Sequence, residues 1–112
     1  MKDDMPRKMQ SAESVPSLVG ERLRIWGSTI RTQRVRQRIT AEQLCVRIDI
    51  SRATLSRLER GDSAVNVAAY LAAFLVLGIL DEVAPSLPAS LWSAGEHGRV
   101  RARKEEDADD YF

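Results

Sequence analysis

Apolar positions recur at helical spacing through the middle of the chain. Val19, Leu23, Trp26 and Ile30 fall four, three and four residues apart, which predicts one buried stripe on a first helix. Arg22, Arg24, Arg31 and Arg34 take its other side. Ser17 is the expected N-cap, with Glu21 in the first turn. The pattern Gly-x-x-(Leu or Ile)-Arg occurs at Gly20–Arg24 and again at Gly27–Arg31, one heptad on. A heptad step keeps an apolar face within about 20° of register, so the repeat lengthens the helix by roughly two turns. Gly27 lies mid-helix, where Gly costs about 1 kcal/mol relative to Ala, and is the expected site of a bend.

The punctuation that follows is equally local. Thr40-Ala41-Glu42-Gln43 has the form of a capping box and opens a second helix through Arg47. Ser51 as N-cap and Gly61 just past the end bracket a third helix, Arg52 to Arg60. Only the turn Ile48-Asp49-Ile50 separates them. Asn66 caps a fourth helix, Val67 to Leu77, which Gly78 closes. Ile79 to Ala84 adds a short fifth turn or helix before Pro85 and Pro88. No segment alternates with period two, so no sheet is predicted. The expectation is an all-α, compact four- to five-helix bundle over 17–84. A disordered N-terminal arm covers 1–16, and a linker and charged tail cover 85–112.

Charge changes the picture. The formal net charge is only +1, but Arg22 to Arg60 holds ten arginines and three acids, Glu42, Asp49 and Glu59. That is a local surplus of seven between acidic ends. A polyanion responds to local charge, and arginine presents planar paired donors suited to phosphates and guanine edges. The single Cys45 excludes an internal disulfide framework and fits a reducing cytoplasmic setting. The longest apolar run, Val67 to Leu80, is too short to span a membrane, so no membrane partner is expected. His97 stands alone in the tail, and no metal-ligand spacing or glycine-rich phosphate loop is present. No catalytic residue, metal or cofactor is expected, and the chain does not read as an enzyme.

Residues 41–60 carry the function. Leu44, Ile48, Ile50, Leu55 and Leu58 supply inward contacts between two short helices, and Cys45 is the small residue beneath their turn. Arg52, Ala53, Ser56, Arg57 and Arg60 then point outward. The string Ile39 to Cys45 through Ile50 to Gly61 resembles the XRE family, the lambdoid phage repressor and Cro type of helix-turn-helix regulator. The resemblance covers roughly residues 19–84 and implies a lambda-repressor-like DNA-binding fold. It implies base contacts from Arg52, Ala53, Thr54, Ser56 and Arg57. It implies phosphate contacts from Thr40, Ala41, Arg47, Ser51, Arg60 and Ser63, and a structural ion pair between Arg34 and Glu59. Departures are Asp49 at the family's turn glycine, Ala41 at its usual glutamine and Cys45 at its alanine. Asp tolerates left-handed backbone better than most residues.

The implied partner is double-stranded DNA, bound by a homodimer in the bacterial nucleoid. Apolar Leu75, Ile79, Leu80, Val83, Leu87, Leu91 and Trp92 offer a candidate dimer surface. The Gly78-to-Val83 ending, the charged tail and Tyr111-Phe112 are similar to HipB-like antitoxins, which implies a toxin protein as an alternative partner.

Overall fold

The computed structural model describes residues 15–95. The expected arm, apart from Val15 and Pro16, and the charged tail with His97 and Tyr111-Phe112 lie outside the described residues. Among the described residues six helices follow in order: α1 Ser17–Arg36, α2 Ala41–Ile48, α3 Arg52–Glu59, α4 Val67–Leu77, α5 Leu80–Val83 and α6 Ala89–Trp92. Among the described residues there is no strand. No helix there is long and apolar enough to cross a membrane.

The caps act where the side chains place them. Gln43 N donates to Thr40 Oγ1 at 3.0 Å, and Thr40 N donates to Gln43 Oε1 at 2.9 Å, so both halves of the box are made. Ser51 Oγ accepts from Thr54 N at 3.0 Å, and Asn66 Oδ1 accepts from Ala68 N. Gly61 and Gly78 take the positive φ that ends α3 and α4. At the first helix the expectation needs correction. Gly20 N donates to Pro16 O, so the ladder starts one residue earlier. Pro16 is the N-cap, Ser17 is already helical, and Glu21 falls outside the first turn. The Ala89-to-Trp92 helix was not anticipated; Trp92 Nε1 donates to Leu87 O at 3.0 Å across it.

The core gathers around α4, which packs on α1, α2 and α5. Ile30, Leu44, Leu55, Leu58, Tyr70, Phe74 and Leu77 are buried together. Each fully buried large side chain contributes about 1.5–3 kcal/mol. Trp26 meets Phe74 edge-on, with ring centroids 5.2 Å apart, and leans on Tyr70 at 5.9 Å. The Tyr70 hydroxyl donates to Asp62 O at 2.7 Å. Gln37 Nε2 donates to Leu77 O and ties the end of α1 to the end of α4. Val19 does not share this burial: it is 48% exposed, because the core contacts of α1 begin at Leu23.

Two glycines set the approach of α1 to the end of α3. A Cβ on Gly27 would lie 2.6 Å from Leu58 O. One on Gly61 would lie 2.5 Å from Arg24 Cα. Gly27 is therefore explained by close backbone contact, and α1 runs unbroken through it.

Candidate nucleic-acid interface

The α2–α3 unit is built from its turn outward. Asp49 adopts the left-handed conformation (φ 58°, ψ 55°) that ends α2, and Ile50 N donates to Cys45 O. Asp accepts this geometry at modest strain. Cys45 is buried near this turn, and burial pushes its thiol pKa up, so it stays protonated. That environment suits packing, since the thiolate is the nucleophile. Leu55 and Leu58 anchor the inner face of α3 in the core. The helical period then turns Arg52, Ala53, Ser56, Arg57 and Arg60 outward, and all five are exposed.

The expected base-contacting side chains differ in surroundings. Arg52 Nη1 donates to Glu42 Oε2 at 3.1 Å, joining the starts of α3 and α2. Ser56 Oγ accepts from Arg60 Nη1 at 2.8 Å. Arg57 and Ala53 project from α3, and Arg57 pairs with no described carboxylate. Thr54 is half-buried, and its hydroxyl accepts from Ser51 Oγ, so it faces the cap more than solvent.

Of the side chains expected at phosphates, Thr40, Arg47, Ser51 and Arg60 are exposed and Ala41 is half-buried. Ser63 differs from these: its Oγ is buried and finds no hydrogen-bond partner among the described residues. The loop folds inward there: Asp62 Oδ1 accepts from Ala64 N, Asp62 O takes the Tyr70 hydroxyl, and Val65 is buried.

Arg34 joins Glu59 through two hydrogen bonds, Nε to Oε2 at 2.8 Å and Nη2 to Oε1 at 3.3 Å. Its third donor reaches Ile39 O at 3.1 Å. Both side chains are only about one-tenth exposed. The pair clamps α1, the α1–α2 loop and α3 at one point. Arg31, one turn before Arg34, approaches Glu59 at 3.9 Å from the solvent side. Reading the sequence did not single out Arg31 or Glu42 as site residues. The three-residue spacing from Arg34 was the available signal for Arg31; Glu42 had none, since its partner lies across the turn.

A family model described as a helix-turn-helix domain matches residues 26–87. The chain belongs to this helix-turn-helix family. The match covers more than half of the sequence and spans α2, the turn, α3 and α4. It agrees with the XRE-type resemblance of residues 39–61. No curated protein and no solved structure matches the chain. A helix-turn-helix domain is a DNA-binding module, which makes this protein a DNA-binding regulator. Among the described residues no group of three His, Cys, Asp or Glu side chains gathers at metal-binding range.

Proposed function

We propose that this helix-turn-helix protein is a sequence-specific transcriptional regulator, acting as a homodimeric repressor on a near-palindromic operator at the bacterial nucleoid. Residues 17–84 are its DNA-binding unit. The observation that carries the reading is the division of α3: Leu55 and Leu58 are held in the core while Arg52, Ala53, Ser56 and Arg57 stand exposed. A helix so anchored enters a major groove with its outer residues against base edges. Arg52 and Arg57 are suited to guanine O6 and N7, and Ala53 to a thymine methyl. Thr40, Ala41, Arg47, Ser51 and Arg60 flank that face toward the phosphates. Occupying a promoter in this way blocks transcription.

The test is selection of duplex sites from a random pool, followed by affinity measurements. Arg57→Ala should relax preference at one base pair per half-site, losing about 1–3 kcal/mol of discrimination. Arg47→Ala should weaken every sequence alike. Unchanged affinity and preference for Arg57→Ala across all duplexes would remove Arg57 as a reader. A second reading is supported by exposed Leu91 and Trp92 on α6, beyond the core. It is an antitoxin that binds a kinase-type toxin through residues 85–112 and represses its own operon. Co-purification with the neighbouring gene product should then depend on those residues, and survival of the complex after their deletion would remove that reading.

A further inference from the structure

A cleft of about 260 Å³ opens between α1, the start of α2 and α3. Arg31, Arg34, Arg52, Ser56, Glu59 and Arg60 line it, with Ala41 at its edge. Arg52, Ser56 and Arg60 recur every four residues, so one stripe of α3 faces it. The cleft therefore shares Arg52 and Ser56 with the expected base readers, while Ala53 and Arg57 stand on the adjoining side of the helix.

The charges in the cleft are unequal. Glu59 already accepts two hydrogen bonds from Arg34, which neutralises the floor. Arg31 stands 3.9 Å from Glu59, too far for a hydrogen bond, and its side chain is 66% exposed. Its guanidinium donors are thus available. Arg60 spends one donor on the Ser56 hydroxyl, and Arg52 one on Glu42. Three cations against one remaining carboxylate leave a positive concavity, and a concave low-dielectric wall focuses such a field. The capping box occupies the Thr40 and Gln43 N–H groups, and Leu44 N donates to Thr40 O. The N–H groups of Ala41 and Glu42 remain for an outside acceptor at the same edge.

We propose that this cleft seats one phosphate group, with Arg31 as its arm from α1. The proposal deepens the DNA-binding reading and rests on it for the source of the phosphate: a backbone phosphate beside the groove that α3 enters. The chemistry recognised is that of a phosphate oxyanion, and free phosphate shares it.

The experiment uses the full chain, its selected duplex and two variants, Arg31→Gln and Arg31→Lys. Binding is measured against salt. The slope of log affinity against log salt should become shallower by about one for Arg31→Gln, with base preference unchanged, and Arg31→Lys should restore it. In a second arm, inorganic phosphate is titrated while the guanidinium NMR signals of Arg31, Arg52 and Arg60 are followed. All three should shift together in the wild type, and those of Arg52 and Arg60 should stay in place in Arg31→Gln. An unchanged slope in a variant that still binds duplex overturns the backbone assignment. If the signals still move with phosphate in that case, the seat takes a free anion. No movement together with an unchanged slope overturns the seat altogether. A wild type that moves with phosphate but binds no duplex keeps the seat and refutes the DNA-binding reading.

Discussion

At Gly27 two rules of helix chemistry pull in opposite directions. Replacing a mid-helix glycine by alanine gains about 1 kcal/mol of helix propensity. Here the added methyl would sit 2.6 Å from Leu58 O and 2.7 Å from Glu59 O, both backbone atoms. Overpacking of this kind costs about 1–3 kcal/mol, so Gly27→Ala should lower stability in urea or thermal unfolding. Gly20 is the control: its nearest outside atom is the flexible Arg24 guanidinium, at 3.6 Å. Gly20→Ala should stabilise by up to about 1 kcal/mol. Equal effects of the two substitutions would refute the close-approach account. The sequence showed that Gly27 was anomalous but not why, because the atoms that exclude a side chain belong to α3.

Glu42 poses a second question at this scale. Its pair with Arg52 is well exposed, so it is worth about 0–1 kcal/mol of stability at most. Its consequence lies in binding. A carboxylate at the start of α2 repels phosphate and holds the guanidinium of Arg52, a proposed base reader, in place. Glu42→Gln should leave unfolding unchanged, raise affinity for random duplex severalfold and narrow the ratio of operator to random binding. Fluorescence anisotropy on both duplexes at one salt concentration measures this; an unaltered ratio would count against the positioning role.

Between elements, the brace from α1 to α3 concentrates the risk. Arg34 and Glu59 are nearly buried and satisfy each other. Removing one partner of such a pair strands the other charge and costs about 3–5 kcal/mol when fully buried. Glu59→Ala should therefore destabilise by about 3 kcal/mol in denaturant titration and weaken DNA binding by loosening α3. A loss below about 1 kcal/mol would mean that packing alone holds the two helices.

Tyr70 links α4 to the loop after α3 and gives that contact a pH dependence. Burial, with a smaller contribution from Asp62, pushes its hydroxyl up to about 12 from an ordinary value near 10. The unfolded chain then loses this proton first as pH rises. The contribution is complete below about pH 10 and is lost as pH climbs toward 12. Tyr70→Phe should cost about 1 kcal/mol at neutral pH, through the lost bond to Asp62 O, and flatten the alkaline fall. Stability measured from pH 7 to 12 in both proteins decides it; parallel curves would contradict the linkage.

Across the whole molecule, the apolar surface expected to mediate pairing is divided. Ile79, Leu80 and Val83 pack against the core, whereas Leu75, Leu87, Leu91 and Trp92 remain exposed at 59% or more. What is left for a second copy is a smaller patch around α6 and the outer side of α4. If the proposed dimer forms there, Leu91→Asp should raise its dissociation constant at least tenfold in sedimentation, with the fold retained. A wild type that stays monomeric at all concentrations would place the two operator halves under independent copies.

Element identity and most element ends were legible in the amino-acid order alone. Thr40, Ser51, Asn66 and Gly78 act on backbone groups within a few residues, so their effect needs no distant partner. The exceptions are local too: Pro16 displaced Ser17 as cap, and the four residues of α6 carry no pattern long enough to read. Which faces became interior was another matter. Val19 left the core, Ser63 turned inward and an arginine cleft formed from three helices, while the Arg34–Glu59 pair, 25 positions apart, was named through the family resemblance and by no local pattern. Such outcomes depend on groups distant in sequence, and only the packing of α1 over α3 brings them within range of one another.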